Sequence, residues 1–369
     1  MKSKVYFSDI RARSAETNKV EKVKKLFQKA GFDHLIEKED FSAIKIHFGE
    51  EGNDGYLNPV FARQIVDKIK ENKGKPFLVD TNTLYSGMRH NSIDHYIIAN
   101  LHGFNYSVLN APVIIADGLR SQNFRKVKIN KKHFEEVKIA SDIIHTDSMI
   151  VMSHFKGHDM AGFGGAIKNL AMGCAPAAGK KDQHDVEIKS DSGICIACGK
   201  CAEVCPESAI TVNEYAVIDY EKCIGCGECV TVCPVDAMGM NWDTDLPSFL
   251  ERLAEYAYGA VQNKEDKVGY INFLIDITPE CDCVPWSDAP LVRDIGILAS
   301  KDPVALDMAS YNLVNEQQGI EHSYLSANYK RGEDKFKGAR SHTKGTIQID
   351  HAEEIGLGNK DYELIEINI

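Results

Sequence analysis

Eight of the chain's eleven cysteines lie between positions 195 and 233, in two runs of a single pattern. The first run is Cys195, Cys198, Cys201 and Cys205, followed by Pro206; the second is Cys223, Cys226, Cys229 and Cys233, followed by Pro234. The copies are offset by 28 positions, which makes the segment an internal repeat. Two-residue gaps put three thiolates on one tight loop, where each can reach a different iron of a cubane; a fourth iron then needs a cysteine from elsewhere. Zinc and disulfides are the other uses of clustered cysteines, but structural zinc favours ligand pairs separated by a longer gap. The double match, with both prolines, points to two [4Fe–4S] clusters. Ala197, Gly199, Gly225 and Gly227 are small, which lets backbone N–H groups approach sulfur. Pro206 and Pro234 are expected to open short helical turns over 207–210 and 235–238.

This segment resembles the two-cluster bacterial ferredoxins, in which the fourth cysteine of each run crosses to the other cluster. The resemblance implies one cluster on Cys195, Cys198, Cys201 and Cys233, and another on Cys223, Cys226, Cys229 and Cys205.

Lys and Arg total 43 against 54 Asp and Glu, a net charge of −11. Residues 191–240 hold eight acids and two lysines, so this stretch carries −6 of it. Nucleic-acid binding shows the opposite sign. The acidity serves either solubility or docking to a basic patch on a redox partner protein. No apolar run approaches the roughly 18–20 residues of a membrane span, and residues 1–9 lack the apolar core of a signal peptide. The expectation is a cytoplasmic protein, in a reducing, low-oxygen setting.

Short apolar runs alternate with amphipathic stretches on both sides of the repeat. Strands are expected at 5–8, 43–48, 76–80, 113–116 and 149–152, with helices at 18–30, 59–70 and 92–101. After the repeat come a helix over 247–262, strands at 270–275 and 295–298, and a helix over 303–314 capped by Asp302. An exposed loop over 319–344, a short helix at 351–355 and a strand at 364–367 complete the chain. This alternation predicts an α/β fold, a mostly parallel sheet flanked by helices, interrupted by a small two-cluster ferredoxin-like α+β insertion. The expected parts are 1–188 and 243–369 for the α/β domain and 189–242 for the insertion; a separate C-terminal domain is the alternative.

Ligands of open parallel sheets bind beyond the carboxyl ends of the strands. Those junctions carry His47; then Asp80, Tyr85 and Arg89; then His154 and His158, with Gly162, Gly164, Gly165, Lys168 and Asn169 after them. Glycines opening a helix can seat an anion on backbone N–H groups, such as a small anionic substrate or a flavin phosphate, with Lys168 adding charge. Close helix–sheet packing would explain the same glycines, and neither phosphate-loop spacing is present. Cys281 and Cys283 need a tight turn to share an additional metal; otherwise they are two free thiols.

Taken together, several segments resemble the domain-of-unknown-function family numbered 362. They are Lys45-Ile-His47-Phe-Gly49-Glu50, Asp80-Thr-Asn82-Thr-Leu-Tyr85, His154-Phe-Lys156-Gly-His158, Gly162 through Asn169 and Thr278 through Cys283. The likeness implies fold and iron–sulfur cofactor but no substrate. The expected function is an iron–sulfur oxidoreductase passing electrons through two clusters to the carboxyl edge of the sheet. The rivals are a non-enzymatic electron carrier or adaptor subunit, and a metal-handling protein with a third metal site.

Overall fold

The computed structural model describes residues 2–241, 244–264 and 266–367; the segment boundary expected at 242–243 lies outside them. Eight strands form one sheet: β1 (Ser3–Asp9), β2 (Phe41–Lys45), β3 (Lys75–Asp80), β4 (Val113–Ile115), β5 (Ser148–His154), β6 (Val268–Leu274), β7 (Gly296–Ser300) and β8 (Tyr362–Glu366). Their order is β8-β1-β7-β6-β5-β2-β3-β4. Neighbours are parallel except at β7, which runs antiparallel to both β1 and β6. Strands from after the cysteine repeat therefore enter the same sheet as strands from before it.

Both faces of the sheet are covered, as a mostly parallel sheet requires. Along β5, Met149 and Val151 join one core while Ile150 and Met152 join the other, the two-residue alternation of a strand. Helices α1 (Lys19–Lys29) and α2 (Pro59–Glu71) supply Val23, Leu26, Ile65 and Ile69 to one side. The short α3 (Ser92–Leu101) follows β3. Helices α4 (Ala166–Cys174), α6 (Leu246–Val261) and α7 (Pro303–Asn315) pack on the other side, with α5 (Ala177–His184) next to α6. Asn18 and Asp302 cap α1 and α7 with their side chains, satisfying first-turn donors that have no helical partner.

The cysteine segment leaves and returns through an antiparallel pair, Glu187–Ser190 with Met238–Asn241. Inside it a hairpin joins Ile210–Val212 to Ala216–Ile218. The helical turns expected after the prolines are not there. Short helices span Lys200–Glu203 and Glu228–Thr231, ahead of the fourth cysteine of each run. After the prolines, the N–H groups of Ala209 and Ala237 turn toward the sulfurs of Cys205 and Cys233, at 3.2 and 3.1 Å, rather than toward helical carbonyls. The expected exposed loop over 319–344 is also corrected. Lys335 and Phe336 are buried within it, the Phe336 ring lies among Phe155, Phe163 and Tyr311, and Lys335 donates to three backbone carbonyls.

One buried carboxylate ties this side of the fold together. Asp307 of α7 accepts from the Ala166 and Ile167 N–H groups at the start of α4, at 2.8 and 2.9 Å, and from Asn272 of β6 at 2.7 Å. Replacing it by alanine strands three buried donors, so Asp307→Ala should cost about 2–4 kcal/mol of stability. Chemical denaturation with an unchanged slope checks this; a variant as stable as the parent would contradict it.

Candidate functional site

The carboxyl ends of β2, β3, β5 and β6 converge on one edge. The chain beyond β2 delivers His47 and Glu50; the loop after β3 delivers Tyr85 and Arg89. From β5 come His154 and a hairpin, Lys156–His158 with Gly162–Gly164. From beyond β6 comes the loop holding Cys281, Asp282 and Cys283. Gly157 lets hairpin and loop meet: a Cβ there would lie 2.4 Å from the Pro279 carbonyl oxygen.

Buried Arg89 organises one half of the site. Its guanidinium donates to Glu50 at 3.0 Å, to the His47 ring at 2.9 Å and to the Tyr85 hydroxyl at 2.6 Å. Tyr85 in turn donates to the Cys283 carbonyl at 2.9 Å. Asp282 organises the other half, with His154 Nδ1 at 2.8 Å and Lys156 Nζ at 3.6 Å. The Val284 N–H closes a turn onto the Cys281 carbonyl, the tight turn that Cys281 and Cys283 need to face one point. Lys168 reaches Cys281 Sγ at 3.5 Å. A cavity of about 550 Å³ opens beside this loop, lined by Glu50, Tyr85, Met88, His158, Met160 and Cys283 among others.

Burial and the Arg89 charge hold the His47 ring neutral, its pKa down at about 3. Burial would raise Asp282, but His154 and Lys156 outweigh it and keep its carboxyl at about 2. Burial also pushes the Tyr85 phenol well above its ordinary value, so it keeps its proton. Lys168 would be lowered by burial, yet the nearby sulfurs raise it and it stays charged. Of the two thiols, Cys281 is the one driven toward thiolate, by a hydrogen bond from Cys283 and by Lys168 and Lys156.

Two expected residues are tied to the buried Lys45 ammonium, and one of them, Asn169, also lines a smaller pocket with His47, His154, Lys168 and Cys281. Asp80 pairs with buried Lys45 at 2.9 Å, and Asn169 accepts from the same ammonium at 2.8 Å while donating to Met152 and Ser153. The anion seat expected at Gly162, Gly164 and Gly165 is corrected. The first N–H groups of α4 are already taken by Asp307, and a Cβ on Gly165 would lie 2.3 Å from its carboxylate oxygen. These glycines admit neighbours, and no free helix terminus remains there for a flavin phosphate. Sequence reasoning missed Asp282 and Asp159, which face His154 and His158; only their place beside the cysteines and His158 could have marked them.

The eight repeat cysteines gather around two further cavities. One is lined by Cys195, Cys198, Cys201 and Cys233; the other by Cys223, Cys226, Cys229 and Cys205. Each cavity thus holds three cysteines of one run and the last of the other. Equivalent backbone positions share the left-handed region: Ala197 with Gly225 (φ 53° and 70°) and Gly199 with Gly227 (78° and 80°). Burial pushes Cys226 up to about 11 and, with its neighbours' charge, Cys229 up to about 12. A bound cation removes that cost by ionising the thiols outright, so the donor set fits a metal cluster.

Residues 43–312 match the family described as "Domain of unknown function (DUF362)". The chain belongs to this family. No curated protein matches it. Among solved structures, the lactate racemase apoprotein from Thermoanaerobacterium thermosaccharolyticum is similar at 12% identity and TM-score 0.39, over 69% of this chain and 49% of that one. A protein from Thermotoga maritima is similar at 10% identity and TM-score 0.35, over 70% of this chain and 50% of that one. The DUF362 chain spans about half the length of either. Among the described residues, no helix is long and apolar enough to cross a membrane.

The neutral His47 ring makes a pH prediction. Between about 3, its value in the fold, and its ordinary 6.5, the unfolded chain holds a proton that the native chain does not. Stability therefore falls as pH drops through that window. In His47→Gln the fall in melting temperature from pH 7 to pH 5 should be smaller than in the parent; an equal fall would contradict a buried neutral ring.

Proposed function

We propose that this DUF362 protein is an iron–sulfur oxidoreductase, with one [4Fe–4S] cluster on Cys195, Cys198, Cys201 and Cys233 and one on Cys223, Cys226, Cys229 and Cys205. When bound, such clusters supply a relay of single electrons, here between a partner protein and the site at the carboxyl edge of the sheet. The observation that carries this reading is the exchange of the fourth cysteine: each cavity collects its sulfurs from both runs.

The contacts between segment and sheet support a relay. Gly227 abuts the loop after β3, so closely that a Cβ on it would lie 2.7 Å from the Leu84 carbonyl oxygen. The next residue is Tyr85, which touches both Arg89 and Cys283. Buried Glu228 fixes this junction by bonding Arg120 at 2.9 Å and facing His90 at 3.8 Å. The other cavity is the outer one. Cys198 is exposed beside it, as are Ile194, Ile196, Tyr215 and Val217. An apolar patch on an acidic segment suits a partner with an apolar centre and basic rim. At the inner end, Tyr85 can supply a proton and Lys168 can hold a small anionic substrate.

The exposure of Cys198 also favours the second reading, a carrier that passes electrons without turning over a substrate. One experiment separates the two. Anaerobically prepared protein should bleach with dithionite within the roughly −700 to +450 mV span of such centres. Lys168→Ala and His154→Ala should bleach equally, yet pass electrons to the native acceptor in cell extract at least about tenfold more slowly, a loss of about 1.4 kcal/mol or more in transition-state stabilisation. Unchanged flow in both variants leaves the carrier; protein that never bleaches overturns both readings.

A further inference from the structure

Outside the repeat, a second set of soft donors converges. One ligand atom from each of His158, Cys281 and Cys283 lies within 4.8 Å of the others. Cys281 and His158 are buried, and Cys283 is partly so. The turn at 281–284 aims both sulfurs inward, although side chains two apart on an extended strand would share one face only at a spacing too wide for one ion. We propose that His158, Cys281 and Cys283 bind one divalent transition metal of the zinc class, with a fourth coordination position open to the cavity for a substrate donor atom.

Four observations besides the convergence support this. First, two thiolates and an imidazole are the soft and borderline donors that zinc-class ions select, and three protein ligands with one open position is the pattern of catalytic rather than structural sites. Second, His158 and Cys283 both line the cavity of about 550 Å³, so the uncovered side of the triad faces space large enough for a small molecule. Third, the His158 ring is fixed from its Nδ1 side. That nitrogen accepts from the Met160 and Ala161 N–H groups at 3.1 Å, with the Asp159 carboxylate 2.8 Å away, so Nε2 is the ring nitrogen left for an ion. Fourth, Lys168 near Cys281 offsets the charge of two thiolates beside an ion.

The assignment deepens the oxidoreductase reading by naming what stands at the inner end of the relay. Its geometry does not depend on the clusters. A zinc-class ion here would polarise a bound carbonyl or carboxylate oxygen while Tyr85, 2.9 Å from the Cys283 carbonyl, stands by as proton donor.

The test uses whole protein prepared without oxygen and carrying its full iron, to which one equivalent of Zn²⁺ is added. Zinc-edge X-ray absorption should then give about two sulfurs near 2.3 Å and one nitrogen near 2.0–2.1 Å, with an open or solvent-filled fourth position. Cys283→Ser and His158→Gln should lose the ion at unchanged iron content. No zinc uptake, an all-sulfur shell, or a shell unchanged in the Cys283 and His158 variants overturns the assignment. Iron counts on the same samples keep the two readings apart: iron present without zinc sinks only this site, whereas zinc bound here in protein that never holds iron sinks only the relay.

Discussion

Each run of cysteines can lend one loop only three sulfurs, so neither cavity closes without the last cysteine of the other run. That mutual dependence shapes residues 190–240. It demands two loops facing each other, related by the repeat, and the left-handed backbone at Gly199 and Gly227 recurs for that reason. The segment's own apolar core is small, chiefly Ile188, Ile210, Ala216, Ile218 and Met238 with the cysteines themselves. So few apolar residues supply little burial energy. If the paired cavities hold clusters, as proposed, metal ligation would contribute to folding directly, as it does in other small metal-dependent units.

The larger α/β scaffold gives that segment an address. Its ends are stapled by the Glu187–Ser190 and Met238–Asn241 pair, and its inner loop is pressed against the chain after β3 through Gly227 and Glu228. Beneath this junction lie buried charges in matched pairs, Lys45 with Asp80 and Arg89 with Glu50. Removing one partner of such a pair leaves an uncompensated buried charge, so the arrangement is rigid by necessity. The same rigidity keeps Tyr85 and Arg89 against His47 on one side and the cysteine turn on the other.

Much of the fold was legible because its signals are local. The helix over Ser92–Leu101 and the cap at Asp302 follow from periodicity and a short polar side chain at a helix start. The α/β class followed from alternation, although nothing in the apolar run of β7 marks it as antiparallel. What escaped was decided by distant partners. The glycines from 162 to 165 look like an anion loop until Asp307, from more than 140 positions away, fills the helix terminus. Lys335 and Phe336 sit in a polar stretch, and only the pocket formed by Phe155, Phe163 and Tyr311 makes that stretch pack. The candidate site was half legible. His47, Tyr85, Arg89, His154, His158, Lys168, Asn169 and the cysteine pair do meet, while Asp80 turns downward to pair with Lys45.

Metal identity in the paired cavities is the deciding property, and a direct count measures it. Protein isolated and kept under strict anaerobiosis should be brown and contain about eight irons and eight acid-labile sulfides per chain. Colourless protein, or protein whose repeat cysteines hold zinc in place of iron and sulfide, would contradict it.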